Sequence, residues 1–199
     1  MNLDTGPVRK AVVVFDTRYG NTEKVAKALA KGFRKSAIEA ACSDIDDVQI
    51  GALVEHGFLA IGGPTHYHTA SKPMKDFLQK LEQADLRGKY GFAFDTRVGS
   101  FWAGSAAEFI EKKLKAFGLQ IVRPHSSAIV RHAEKEGEES REAETGKTKE
   151  ERRARRARQK EERRAKVVLE EGMEELFEKI GDEIGEILGR SQISRQHMS

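Results

Sequence analysis

The sequence predicts an α/β protein, a three-layer α/β/α sandwich around a five-stranded parallel sheet. Three observations predict it. The run Ala11–Phe15 is apolar throughout and rich in valine, as suits a strand covered by helices on both faces. A polar loop, Asp16–Thr22, follows at once and passes into a helical pattern. The same succession of strand, loop and helix then recurs along the chain, which is the pattern of a doubly wound sheet.

Val25, Leu29 and Phe33, with Ala26 and Ala30 beside them, recur at three- and four-residue spacing and predict an amphipathic helix lying on the sheet. Ala37–Cys42 predicts the second strand, and Asp44, Asp46 and Asp47 after it read as a capping cluster. Gly57–Gly62 predicts the third strand, followed by a helix with Met74, Phe77, Leu78 and Leu81 on one face. The fourth strand is Tyr90–Phe94, and Phe109, Ile110, Leu114 and Phe117 line the next helix. Leu119–Val122 and Ala128–Val130 make a fifth strand interrupted at Pro124, a residue with no amide hydrogen to give to a sheet. From Ala133 to Lys166 the only apolar side chains are alanines among Glu, Arg and Lys, so 133–166 reads as a charged helical insertion outside the core. Periodicity returns through Val167, Leu169, Met173, Leu176, Phe177, Ile180, Ile184 and Leu188 as a final helix, leaving 189–199 as a polar tail. The chain therefore reads as one domain, 1–199, with its core in 10–132 and 167–188.

Composition narrows the function classes. Charged residues make up 34% of the 199, above the roughly 25% of ordinary domains, and the excess sits in the insertion. Cys42 is the single cysteine, so no internal disulfide forms, a reducing compartment is expected, and no Cys/His spacing resembles a zinc site. We assign no metal. Met1–Lys10 lacks the apolar core of a signal peptide and no apolar run approaches the roughly 20 residues needed to cross a bilayer, so we expect a soluble, cytoplasmic protein with no membrane partner.

The loop Asp16-Thr17-Arg18-Tyr19-Gly20-Asn21-Thr22 lies where a helix start presents unpaired amides and a positive dipole end, an arrangement that suits phosphate. Thr17 and Thr22 offer hydroxyls, Asn21 an amide, and Gly20 lets the backbone curl toward the oxygens. Neither the Walker spacing nor the Gly-x-Gly-x-x-Gly of dinucleotide folds occurs here, which argues against an NTPase and a nicotinamide-nucleotide fold. The competing reading is a Thr/Asn helix cap with no ligand. With Thr17, Arg18, Tyr19, Gly20, Asn21 and Thr22 in place, the loop resembles that of the flavodoxin family, of the form Thr/Ser-x-Thr/Tyr-Gly-Asn-Thr, which binds the phosphate of FMN.

Two further stretches resemble the same family in order and spacing. Gly63-Pro64-Thr65-His66-Tyr67-His68 is similar to its first flavin loop, with Pro73-Met74-Lys75-Asp76-Phe77-Leu78 similar to the helix that follows. Asp95-Thr96-Arg97 followed by Gly104-Ser105-Ala106 resembles a subgroup of flavodoxin-like proteins. The resemblance implies the strand order 2-1-3-4-5 and a non-covalent FMN at the switch point between the first and third strands. It implies that Pro64, Thr65, His66, Tyr67, His68, Asp95, Thr96, Arg97 and Gly99 meet the ring's polar edge. It also implies that His66, Tyr67, Phe101 and Trp102 supply the walls a flat, apolar-faced ring requires. A response-regulator receiver shares the topology but needs an acceptor Asp at the end of the third strand, where this chain has Gly62-Gly63-Pro64.

Many flavodoxins have a glycine in the loop after the third strand, and Thr65–Ser71 contain none. Arg97, Lys72, His66 and His68 add positive charge there, which favours a fully reduced, anionic flavin. Two functions therefore compete: a carrier passing electrons to a redox partner protein or small acceptor, which we favour, and a small FMN-dependent NAD(P)H:quinone-type reductase. No catalytic residue is assigned. A third reading gives the basic stretch Lys149–Lys166 an anionic partner such as nucleic acid, against the plainer reading of a solvated charged helix.

Overall fold

A computed structural model describes residues 8–99, 104–132 and 167–196. Strand β1 (Lys10–Phe15) is central and pairs in parallel with β2 (Glu39–Asp44) on one side and β3 (Phe58–His66) on the other, Val13 standing beside Cys42 and Ala60. β5 (Tyr90–Val98) continues the sheet beside β3, and β7 (Ser126–His132) beside β5. A two-residue strand, β4 (Thr69–Ala70), folds back on the end of β3, and β6 (Gln120–Ile121) pairs with the start of β5. β6 and β7 together are the interrupted fifth strand, so the parallel order is the expected doubly wound one.

β1 explains why its sequence is apolar at both parities. Ala11, Val13 and Phe15 belong to one core, with α1 (Asn21–Lys35) and α5 (Met173–Gln196). Val12 and Val14 belong to the other, with α2 (Ile50–Leu53), α3 (Lys72–Leu81) and α4 (Ala106–Ala116). Successive strand residues point to opposite faces, so a strand between two helical layers has no polar position to spare. α1 and α5 approach closely enough that a Cβ added at Gly32 would meet Glu178 O at 2.0 Å, and one at Gly181 would meet Leu29 O at 2.2 Å.

The structure corrects the reading at several points. Val167 and Leu169 do not begin the last helix: Val167–Leu169 form β8, which pairs antiparallel with β7 at the sheet edge, and the helix starts at Met173. A three-residue apolar run is too short for periodicity to separate helix from strand, and here the open edge of β7 decides it. α5 runs past Leu188 to Gln196, since extending a nucleated helix adds a backbone bond for each residue fixed. The second strand is shifted to Glu39–Asp44, because Ala37 takes a left-handed turn at φ 58°. Asp44 caps no helix: it accepts the amide of Asp46 at 3.0 Å in a turn, and the N-cap of α2 is Gln49, which makes no side-chain cap. Cys42 is half-buried, and burial pushes its thiol pKa up. The charged insertion, 133–166, and the aromatic pair Phe101 and Trp102 lie outside the described residues.

Candidate functional site

The carboxyl ends of β1, β3, β5 and β7 surround a cavity of about 300 Å³. Its wall brings together Thr17, Arg18, Tyr19, Asn21 and Thr22 of the first loop, Pro64, Thr65, His66 and Tyr67 after β3, and Thr96 and Arg97 of β5. Gly20, His68, Asp95 and Gly99 are not on the wall. Val98, Val130 and Val167 are, and the sequence reading missed them. Val98 and Val130 are register neighbours, a signal recoverable once strand pairing is known, whereas nothing marks Val167 before its strand is seen. A second cavity of about 640 Å³ adjoins the first, sharing Thr17, Arg18, Pro64, His66 and Tyr67 and extending to Asp16, Ser71, Lys72 and Lys75.

The start of α1 lacks the side-chain cap that the competing reading requires. Its N-cap is Gly20, left-handed at φ 78°, and no side chain caps the helix. Asn21 instead donates its side-chain amide to Val167 O at 2.8 Å, tying α1 to β8, and Thr22 Oγ1 lies 2.9 Å from Thr96 Oγ1, tying the loop to β5. By contrast, α3 and α4 are capped by their own serines: Ser71 Oγ accepts the Met74 amide and Ser105 Oγ the Glu108 amide, each at 3.1 Å. Ser71 also donates its hydroxyl to Asp16, tying the loop after β1 to α3. Burial raises the pKa of Asp16, and the nearby acids Asp44 and Asp46 add to the rise.

Asp95 acts beneath the cavity. It is 0% exposed, and its Oδ2 accepts from Thr65 Oγ1 at 2.9 Å, Ser105 Oγ at 2.8 Å and the Ala107 amide at 3.1 Å. Thr65 Oγ1 in turn accepts the Ala106 amide at 2.9 Å, so one carboxylate fixes the β3 loop against the start of α4. Above it, His66 pairs with Thr69 across a two-residue hairpin whose central residues, Tyr67 and His68, have φ 45° and 69°. A two-residue hairpin turn of this kind requires positive φ at both positions and normally uses Asn or Gly. For Tyr and His it costs roughly 1–2 kcal/mol each. The turn leaves the Tyr67 ring 85% exposed at the mouth of both cavities.

Residues 13–154 match the family model for flavodoxin. The chain belongs to the flavodoxin family. A flavodoxin of Clostridium saccharobutylicum is 33% identical over 88 residues, covering 44% of this chain and 55% of that one. The rubredoxin-oxygen oxidoreductase of Megalodesulfovibrio gigas is 28% identical over 120 residues, 58% of this chain and 29% of that one. The chain thus spans about half the length of the first relative and under a third of the second. Among solved structures, a flavodoxin from the domain Archaea superposes with a TM-score of 0.63 at 21% identity, covering 90% of this chain and 99% of that one, a likeness of fold.

Family membership brings FMN as the cofactor, and the cavity's own chemistry fits it. Thr17 Oγ1, Tyr19 OH and Arg97 Nε are buried on the wall with no hydrogen-bond partner among the described residues. Buried donors without acceptors cost about 1–3 kcal/mol each, so the wall is built for a guest rich in acceptors. Phosphate oxygens at one end of FMN and ring carbonyls at the other are such acceptors. Among the described residues no group of three or more His, Cys, Asp or Glu is placed to hold a metal, and no helix is long and apolar enough to cross a membrane.

Proposed function

We propose that this chain is an electron carrier that holds FMN without a covalent bond in the 300 Å³ cavity and exchanges electrons at its open mouth. The observation that carries the reading is the convergence of an uncapped helix start with the buried, unpartnered donors of Thr17, Tyr19 and Arg97 on one cavity. When bound, FMN supplies a ring that takes up electrons and gives them back. Thr17, Thr22 and the first amides of α1 hold the phosphate, where the helix dipole favours negative charge. Pro64–Tyr67 and Thr96–Val98 enclose the ring from two sides, and stacking on Tyr67 adds roughly 0.5–1.5 kcal/mol beyond burial. The guanidinium of Arg97, anchored by its bond to Gly104 O at 3.1 Å, favours negative charge on the reduced ring. Purified protein should be yellow and release FMN on denaturation, with Thr17→Val/Thr22→Val colourless at the same FMN concentration. Wild-type apoprotein that fails to take up added FMN sinks the reading.

A second reading, an FMN-dependent NAD(P)H:quinone-type reductase, draws support from the adjoining 640 Å³ cavity, which gives a second small molecule room beside the ring. Rapid, FMN-dependent oxidation of NAD(P)H by a quinone decides for it. The electron acceptor is then small; otherwise it is a redox partner protein. An anionic partner for the basic insertion and a cytoplasmic home, the latter supported by the free thiol of Cys42, complete the proposal.

A further inference from the structure

The two loops that flank the cavity are joined by a backbone contact that no cofactor role explains. His68 and Gly104 form an isolated parallel β-bridge that joins the turn after β3 to the chain just before α4. Gly104 has φ 66°, and a Cβ built there would lie 2.4 Å from His68 O, 2.5 Å from its Cα and 2.6 Å from its Cβ. No side chain fits in that space. Arg97, on the cavity wall, donates to Gly104 O at 3.1 Å and so fixes Gly104 from the other side. The turn held in this way is the one in which Tyr67 and His68, neither of them glycine, take positive φ. Local sequence gives no reason for that conformation, so the packing around the turn must impose it.

We propose that Gly104 is a positioning residue for the cofactor: pressed against the backbone of His68, it holds the Tyr67–His68 turn left-handed and so sets Tyr67 at the cavity mouth. This rests on the FMN-binding reading. Gly104 is not on the wall of either cavity described above and acts through the turn.

The test is Gly104→Ala in the full chain. FMN affinity is read by fluorescence quenching, the ring's surroundings by the visible circular dichroism of bound FMN at saturation, and the fold by thermal melting of the apoprotein. FMN binding should weaken by roughly tenfold, the left-handed strain of one residue expressed as affinity. The visible dichroism should change, and the apoprotein should still melt in one cooperative transition, lowered by no more than the roughly 4–8 °C of a backbone clash in a chain of this size. His68→Gly removes the strain at position 68 and the Cβ contact, though not those with its O and Cα, so Gly104→Ala should cost less FMN affinity in the His68→Gly background than in wild type, the non-additivity expected of touching residues. FMN affinity within twofold of wild type, an unchanged dichroism band, or strictly additive losses in the double variant each overturn the proposal. Wild-type protein that takes up no FMN overturns the functional reading itself, and this inference with it.

Discussion

Replacing Gly181 by alanine drives a methyl carbon to 2.2 Å from Leu29 O, and the same change at Gly32 brings one to 2.0 Å from Glu178 O. Both obstacles are backbone atoms, so no side chain can swing aside, and α1 and α5 must separate by about 1 Å to restore ordinary contact. Overpacking of that kind costs about 1–3 kcal/mol. A gap of 0.5–1 Å also forfeits roughly a quarter to a half of each dispersion contact across it, and Phe177, Ile180 and Ile184 are buried along this face. Against this, alanine gains about 1 kcal/mol over glycine in a helix interior. The net for Gly181→Ala is a loss of about 2 kcal/mol, or about 4–8 °C in melting temperature for a chain of this size. Gly51, in α2, has no heavy atom within 4 Å of its added Cβ, so Gly51→Ala keeps the propensity gain and should melt about 2 °C higher. Calorimetry of the two apoproteins reads both signs. Gly181→Ala melting at or above wild type refutes the close approach of α1 and α5. Because α1 carries the phosphate loop at its start, the same variant should also bind FMN more weakly.

Thr17→Val or Thr22→Val removes one hydroxyl at nearly constant shape, and a bond to a charged group is worth about 1.5–3 kcal/mol, so FMN binding should weaken roughly 10- to 100-fold in a fluorescence titration. Asp95→Ala leaves the donors of Thr65, Ser105 and Ala107 without their shared acceptor and should cost at least about 3 kcal/mol in urea unfolding, whereas Asp95→Asn, which keeps one oxygen, should lose distinctly less. Burial pushes the Glu111 carboxyl up, but bonds from Lys115 Nζ at 2.6 Å and from the amide and ring of His125 at 2.7 and 2.9 Å outweigh it and leave its pKa below the ordinary 4.5. A depressed carboxylate stabilises the fold fully above its unfolded pKa and loses that contribution as pH falls through the folded value. Melting should therefore fall less between about pH 6 and about pH 3 in Glu111→Gln than in wild type.

The loop Asp16–Thr22 was legible as a candidate anion site because its whole signal is local: a two-faced apolar strand, then contiguous polar residues at one helix start. The sheet order was legible through the same strand. β8 was not, since Val167 to Leu169 carry no period and their partner, β7, lies on the far side of the charged insertion. Without β8, Val167 could not be placed on the wall, nor Asn21 recognised as its tether. An acid at the end of a strand looks the same in sequence whether its side chain faces a ligand or, as at Asp95, serves a buried helix start.

The turn at Tyr67 and His68 shows why the remaining site geometry was hidden, and why it is informative once seen. A two-residue hairpin announces itself by Asn-Gly or Asp-Gly, and this one has neither. Its conformation is set by Gly104, distant in sequence and silent by itself. The same failure of local rules occurs at the uncapped start of α1 and at the unpartnered Thr17 Oγ1, Tyr19 OH and Arg97 Nε, while the starts of α3 and α4, at Ser71 and Ser105, obey them. Folding alone gives no reason to concentrate a strained turn, bare amides and orphaned donors around one cavity. A ligand with an anion at one end and a flat, acceptor-edged ring at the other would offset all three at once, and these departures from a comfortable fold are therefore what supports the proposed FMN site.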